Sequence, residues 1–332
     1  MPQKEFKAIV VEEAEPKKFV RNIKTRTIAD LPDGDVLIRV QYSSLNYKDA
    51  LSSSGNKGVT RNFPHTPGID AAGVVEESTN SNFSVGEEVL VTGYDLGMNT
   101  SGGLGQYIRV PAGWVVKLPQ GLSLKESMIF GTAGFTAALM VEGLVYNQVK
   151  PNNGPILVTG STGGVGSVAV CILAKLGYHV VASTGKASEH DFLHSLGAKE
   201  IVDRNSIVDN SGKPLLKEQW AGVVDVVGGD TLASALKNTC YGGTVTCSGL
   251  VGSITLNTTV FPFILRGVKL VGIDSVECPM EPRLQVWKHL ASDWKTDKLN
   301  ALTTEITLEQ VEATVLDMLD GKSHGRHVVN LG

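Results

Sequence analysis

The stretch ILVTGSTGGVGSVAVCILAKLG, residues 156–177, constrains the fold of this chain more than any other. An apolar run ends at Gly160 and glycines follow at 163, 164 and 166. Apolar residues then recur at 165, 168, 169, 172, 173 and 176 with helical period. Gly160, Gly163 and Gly166 stand three apart, a GxxGxxG variant and not GxGxxG. The physics of the two is the same. Residues without a Cβ let the backbone turn sharply and approach a pyrophosphate, whose charge is met by free N–H groups at the helix N-terminus. The plain alternative is a turn that only packs a helix on a strand; the flanking strand and helix make the dinucleotide cradle the stronger reading.

Further apolar runs follow: HVVAST (179–184), EIV (200–202), VVDVVG (223–228), TVTCSG (244–249) and KLVGID (269–274). Most are continuous and not alternating, which suits a parallel sheet covered on both faces. Alternation with helical patterns makes this a doubly wound nucleotide-binding domain. Before residue 125 the pattern differs. VLIRVQYSSLN, AAGVVEE, EEVLVTGY and GQYIRVP are short β-rich runs separated by Gly, Pro, Asn and Ser, as in a compact antiparallel domain. After Cys278, helices at about 283–293 and 308–319 and a closing HVVNL strand remain. We expect these to return to the first domain, dividing the chain into 1–125, 126–276 and 277–332.

A chain of 332 residues, 42% hydrophobic and 19% charged, is long enough for two cores, and its composition is not that of a disordered, collagen-like or disulfide-rich chain. The net charge of -4, with both signs intermixed, offers no basic surface for a polyanion, so no nucleic acid partner is expected. The N-terminal MPQKEFKAIVVEEAEP does not read as a secretory signal. The longest uncharged segment, 127–141, is Gly- and Ala-rich and reads as a close-packed helix at a domain junction. It falls short of the ~20 apolar residues a membrane span needs. Cys171, Cys240, Cys247 and Cys278 show no CxxC spacing, as expected of buried thiols in a reducing compartment. A cytoplasmic protein without a membrane segment is the expectation.

Cofactor choice is read where the second strand ends, about 20 residues beyond the glycine turn, where an acidic residue would hold the ribose of NAD. Here stand Ser183, Thr184, Gly185 and Lys186, with no carboxylate before Glu189. Hydroxyls and an ammonium suit a 2′-phosphate, so NADPH is expected over NADH. A solvated surface lysine is the bland alternative. Arg204 adds a second positive charge over the adenosine, or forms a surface salt bridge.

SSLNYKDAL, PGIDAAGVV, GTAGFTAAL, VTGSTGGVG, VVDVVGG, PFILRGVKLVGIDSV and the closing GRHVVNL occur in that order. In this the chain resembles the medium-chain dehydrogenase/reductase superfamily, more narrowly its acrylyl-CoA reductase and YhdH/YhfP-type quinone oxidoreductase branch. The resemblance implies a GroES-like first domain, a Rossmann second domain and a cofactor in the cleft between them. Many members of the superfamily use zinc. In those enzymes a Cys opens the segment that here reads Asn46-Tyr47-Lys48-Asp49, and a His precedes the acid of the segment that here reads Ile69-Asp70. Neither Asn46 nor Ile69 is a zinc ligand of that set, and no cysteine precedes Cys171, so no metal is expected.

Without metal, hydride must reach a carbon made electrophilic by its neighbours, and the negative charge developing on oxygen must be stabilised. By resemblance Tyr47 sits at the nicotinamide end, as acid or water-positioner or as packing alone, and Asn46 is placed to hydrogen-bond a substrate carbonyl. Asp49 and Asp70 orient that pair or cap turns. The resemblance puts cofactor contacts at Tyr47, Thr162, Gly163, Gly164, Val165, Thr184, Gly185, Lys186, Arg204, Leu250, Ile264, Ser275 and Arg326. Leu250 and Ile264 would otherwise be read as core and Ser275 as a turn residue; Arg326 would bind a phosphate of NADPH or of a CoA ester. The expected substrate is acrylyl-CoA or another short 2-enoyl-CoA. The alternatives are a quinone, a non-catalytic NADPH-binding sensor and, weakest, a zinc alcohol dehydrogenase. Superfamily relatives pair through the strand here written KLVGID, so a homodimer is expected.

Overall fold

The computed structural model describes residues 4–332, which fall into two compact units. One holds the chain up to Thr132 with Val276–Ala291 and Thr303–Gly332; the other holds Ala133–Ser275 and Ser292–Leu302. In chain order the strands are β1 (Glu5–Glu15), β2 (Lys18–Thr27), β3 (Val36–Leu45), β4 (Asp70–Ser78), β5 (Glu88–Thr92), β6 (Tyr107–Val110), β7 (Val116–Lys117), β8 (Ile156–Val158), β9 (Val180–Thr184), β10 (Glu200–Asp203), β11 (Trp220–Asp225), β12 (Thr239–Cys247), β13 (Lys269–Gly272), β14 (Thr303–Thr307) and β15 (Arg326–Asn330). The helices are α1 (Tyr47–Ser53), α2 (Leu124–Tyr146), α3 (Gly164–Lys175), α4 (His190–Leu196), α5 (Gly229–Asn238), α6 (Phe261–Arg266), α7 (Met280–Ala291), α8 (Leu299–Leu302) and α9 (Val311–Leu319).

In the first unit the sheet runs β14-β15-β3-β4-β5-β7, with β6 paired to β3. Successive side chains of a strand point to opposite faces, and β3 shows what each face meets. Val36, Ile38 and Val40 enter the main core with Val75, Val89, Ile108 and Val329. Leu37 turns the other way, into a smaller cluster with Phe6, Ala8, Leu31 and Tyr107. The β1–β2 hairpin supplies Phe6 and Ala8. Sequence reading assigns no strands over 5–27; β1 carries the buried run 8–11, but its partner β2 has no buried residue and no apolar run to mark a hairpin.

The second unit holds a six-stranded, all-parallel sheet of order β10-β9-β8-β11-β12-β13. The order reverses between β8 and β11, the position at which doubly wound sheets bind nucleotides. Leu157, Val181, Val223 and Val245 form its core, so the apolar runs of the central strands β8, β9 and β11 are buried on both faces, whereas the edge strands β10 and β13 hold no buried residue. Every residue of α3 from Gly166 to Leu173 is buried, so it is a core helix and not a surface one.

The helix expected over 127–141 runs Leu124–Tyr146 and is broken at Gly131 (φ 51°, ψ -158°). At 23 residues it is long and apolar enough to cross a bilayer, contrary to the length expected from sequence, but 72% of its most apolar window is buried in the protein. The unit boundary falls inside this element, one residue after the break, where the sequence reading divides the chain at 125/126. Residues 292–302 join the second unit, where α8 packs on α4 and Thr296 hydrogen-bonds Cys171; sequence reading sends them to the first.

Candidate functional site

The glycine turn leaves β8 through Thr159 and Gly160, whose φ of 58° favours glycine. A Cβ on Gly166 would lie 2.3 Å from the Gly160 carbonyl oxygen, so the first turn of α3 passes with no room for a methyl group. Gly163 is the N-cap of α3 and donates its N–H to Gly160 O (3.0 Å); no acidic residue occupies the helix's first turn. Ser161 ties the turn to the end of β9. Its hydroxyl donates to Val158 O (2.6 Å) and accepts from Ser183 N (2.9 Å).

These ties shape a cavity of about 400 Å3, within the second unit, lined by Thr159, Gly160, Thr162, Ser183, Thr184, Gly185, Lys186, Arg204 and Asn205. Val208, Val227, Thr231, Val251 and Gly252 complete it. Of the residues expected at the cofactor, Thr162, Thr184, Gly185, Lys186 and Arg204 therefore come together, with Gly163, Gly164 and Val165 opening the adjoining helix. Arg204 is exposed, makes no ion pair with any described residue, and lies across Gly185: a Cβ there would be 2.6 Å from its Nε. The Asp203 carboxylate is turned onto its own loop, accepting from Asn205 N (2.8 Å). Leu250 (64% exposed) and Ile264 (68%) are surface residues, which overturns a core reading of them. They lie outside the cavity lining, as does Ser275, which is buried and accepts a hydrogen bond from Thr136 Oγ1 (2.7 Å).

Sequence reasoning missed Asp225. This buried carboxylate at the end of β11 accepts from Thr159 Oγ1 (2.8 Å) and Gly228 N (2.7 Å), holding two rims of the cavity together. Burial pushes its carboxyl above the usual range, and these donors oppose the shift. An acid inside the apolar run VVDVVGG was the available signal.

In the first unit, Asn46 caps α1, Tyr47 is its first residue, and Asp49 Oδ2 accepts from Asn46 N (2.8 Å). Asp49 Oδ1 accepts from Gly68 N (3.1 Å) and Ile69 N (2.9 Å). Burial, then the neighbouring charge of Asp70, pushes the Asp49 carboxyl up to about 7. Asp70 accepts from Ser44 Oγ (2.6 Å), Asn46 Nδ2 (2.8 Å), Thr132 Oγ1 (2.6 Å) and Thr132 N (2.9 Å). Both aspartates thus cap and orient.

Two expectations need correcting here. Arg326 is 2% exposed and points inward: Nε donates to Ile129 O (2.9 Å), Nη1 to Leu45 O (3.2 Å) and Asn46 Oδ1 (3.3 Å), and Nη2 to Ser44 Oγ (3.0 Å). Its Nη2 also lies 3.9 Å from Asp70. It is a strut and not a ligand for phosphate. Asn46 is likewise occupied at both ends of its amide, so it does not offer a donor to a substrate carbonyl. Tyr47, 49% exposed, is the side chain of this group that reaches solvent.

Zinc does not fit these residues. Among the described residues no three His, Cys, Asp or Glu groups converge, and the two aspartates beside Asn46 are already filled by N–H and O–H donors.

Residues 32–120 match the family model of the alcohol dehydrogenase GroES-like domain, and 164–292 that of the zinc-binding dehydrogenases. The chain is 49% identical to the putative quinone oxidoreductase YhfP of Bacillus subtilis over 93% of its own length and 94% of the relative's. The chain belongs to the medium-chain dehydrogenase/reductase superfamily. It is an oxidoreductase of that superfamily's acrylyl-CoA reductase and YhfP branch, with a GroES-like and a Rossmann unit. It is also 45% identical to the acrylyl-CoA reductase AcuI of Ruegeria pomeroyi, over 98% of this chain and 99% of that one. The crystal structure of YhfP with NAD bound is similar at a TM-score of 0.96, with 47% identity over 99% of this chain and 100% of that one. The yhdH oxidoreductase of Salmonella enterica in complex with NADP gives 0.95, with 43% identity over 98% and 100%. Membership in a family described as zinc-binding does not supply this chain with zinc ligands.

Proposed function

We propose that this medium-chain reductase uses NADPH, without zinc, to reduce activated carbon–carbon double bonds, with acrylyl-CoA or a similar short 2-enoyl-CoA as substrate. The cationic end of the cavity carries the reading: Lys186 and Arg204 flank Gly185, and the nearby Asp203 is turned away onto its own loop. A guanidinium and an ammonium beside Ser183 and Thr184 suit a 2′-phosphate dianion. The Salmonella relative holds NADP, whereas the YhfP crystal holds NAD, so cofactor preference is the first property to measure.

The glycine turn and the N-terminus of α3 would receive the pyrophosphate, with Gly164 and Val165 offering N–H groups, Thr162 its hydroxyl, and Gly163, whose own N–H is spent on Gly160 O, letting the backbone approach closely. When bound, the reduced nicotinamide supplies a hydride to the β-carbon of the conjugated thioester. Tyr47 Oη, on an exposed phenol held at the first turn of α1, donates a proton to the enolate that results in the substrate. Similarity to AcuI over nearly the whole chain supports the thioester substrate, and the name of YhfP favours the second reading, a quinone. Among the described residues the edge strand β13 pairs with β12 alone, and it carries a partly apolar face, which supports a homodimer built on that edge. Four free cysteines support a cytoplasmic location.

The test is NADPH oxidation followed by absorbance with acrylyl-CoA and with benzoquinone, each repeated with NADH. Turnover of the thioester with NADPH alone is expected. Rapid quinone reduction with an inert thioester moves the enzyme to the second reading; no turnover of either overturns both.

A further inference from the structure

The buried cluster around Asn46 has a geometry that the proposed reaction does not use directly. The Asn46 amide is 8% exposed and stands between opposite charges: its oxygen faces the Arg326 guanidinium (3.3 Å) and its nitrogen faces Asp70 (2.8 Å). Those contacts fix which way the amide points, since the reversed amide would set NH2 against guanidinium and oxygen against carboxylate. Asp70 is held in turn by Thr132, whose N–H and hydroxyl both reach it. That reach depends on the break in α2. Gly131 adopts φ 51°, and a Cβ there would lie 2.4 Å from Asp70 Oδ2, 2.5 Å from Ser44 Oγ and 2.8 Å from Arg326 Nη2. Strand β15, the broken helix, strand β3 and strand β4 therefore converge around Asn46, the N-cap residue of the helix whose first residue is Tyr47; its backbone joins that turn through Asp49 N to Asn46 O (2.9 Å) and Asn46 N to Asp49 Oδ2 (2.8 Å).

We infer that Asn46, Asp70, Thr132 and Arg326 are positioning residues that set the first turn of α1 and with it the Tyr47 phenol. The assignment rests on the proposed role of Tyr47 as proton donor. A buried, charge-balanced brace suits that task, because displacing a reacting group by an ångström costs up to about a hundredfold in rate. The far end of α1 has its own tie, Arg21 Nη1 to Ser53 O (2.9 Å), so the brace governs the N-terminal turn alone.

The experiment compares Asn46→Ala, Arg326→Gln, Thr132→Val and Thr132→Ser, as full chains, by three readouts. NADPH binding is titrated by fluorescence, kcat and KM are measured with acrylyl-CoA and benzoquinone, and hydrogen exchange is followed across residues 47–53. Expected are NADPH affinities within about twofold of wild type, kcat lowered about tenfold or more in Asn46→Ala, faster exchange in the first turn of α1, and near-complete rescue in Thr132→Ser relative to Thr132→Val. Asn46→Ala and Arg326→Gln should be non-additive in kcat, as neighbours in one network are. Arg326→Gln leaves buried carboxylates under-paired and is the variant most exposed to misfolding; the Thr132 pair decides the question if it does. Weakened NADPH binding at intact kcat in the Arg326 variant, or unchanged exchange at 47–53 in every variant, overturns the inference. If wild type turns over neither substrate, the functional proposal has failed, and the exchange readout still decides whether the brace exists.

Discussion

Gly185→Ala isolates the part that Arg204 plays at the adenosine end of the cavity. The new Cβ would stand 2.6 Å from Arg204 Nε, 2.9 Å from Cδ and 3.0 Å from Cζ. Comfortable contact between such atoms is ~3.5–4.0 Å, so the guanidinium has to shift by about 1 Å. Gly185 needs no left-handed backbone and Arg204 is an exposed side chain, so the shift costs little stability. A charge-assisted hydrogen bond to phosphate contributes ~1.5–3 kcal/mol. Its complete loss in Arg204→Ala should therefore weaken NADPH binding by about 10- to 150-fold. Gly185→Ala, which displaces the group without deleting it, should fall at the lower end. NADH has no 2′-phosphate, and its affinity should stay within the ~0.5 kcal/mol typical of surface substitutions, about twofold. The assay is a titration of both nucleotides against wild type and both variants, with melting temperature as the control for folding. Equal losses for NADPH and NADH would refute the reasoning, since Arg204 would then serve a part the two cofactors share. Unchanged NADPH affinity in Arg204→Ala would refute it more simply.

Three further outcomes are expected. Gly166→Ala drives a methyl group into the Gly160 carbonyl, which is backbone and cannot yield; a loss of ~1–3 kcal/mol in denaturant titrations should accompany weaker binding of NADPH and NADH alike. Burial, with the Arg326 charge beside it, pushes His327 down from 6.5 to about 4, so the unfolded chain takes up a proton that the folded one refuses. That stability is complete above pH ~6.5 and is lost as pH falls toward about 4, so urea midpoints should drop over this window and drop less in His327→Gln; parallel curves for the two proteins would count against it. Dialysis against a chelator should leave turnover and melting temperature unchanged, and stoichiometric zinc in elemental analysis of active enzyme would reverse the reading of Asn46 and Ile69.

The nucleotide-binding unit was legible because its signals are local. A strand buried on both faces is an unbroken apolar run, and a turn that must pass close to another backbone is marked by glycine, so 156–177 identified both the sheet and the cradle. The β1–β2 hairpin was not legible, since β2 faces solvent along much of its length and reads as a charged segment. The boundary near 125 slipped by several residues because the break in α2 is a backbone angle at Gly131, and a single glycine in GTAGFTAAL does not announce which one will kink.

Arginine shows most clearly where sequence stops informing. Arg204 and Arg326 carry the same group, and the sequence reading places both at the cofactor, Arg204 over the adenosine or in a surface salt bridge and Arg326 on a phosphate. Arg204 stands on an exposed turn beside Lys186, with no acidic partner among the described residues, and is the group proposed for the 2′-phosphate. Arg326 meets acceptors 197, 280, 281 and 282 residues away in the chain, at Ile129, Asn46, Leu45 and Ser44, which take four of its N–H donors, and Asp70 lies 3.9 Å from its Nη2. A guanidinium has five N–H donors in a fixed fork, so the number already engaged decides whether it can serve a substrate. That number comes from long-range register, through β15 lying against β3, and no window of sequence around position 326 contains it. The same counting moves Asn46 from substrate contact to brace and leaves Tyr47, whose side chain is half-exposed, as the group in that cluster on which the chemistry must be tested.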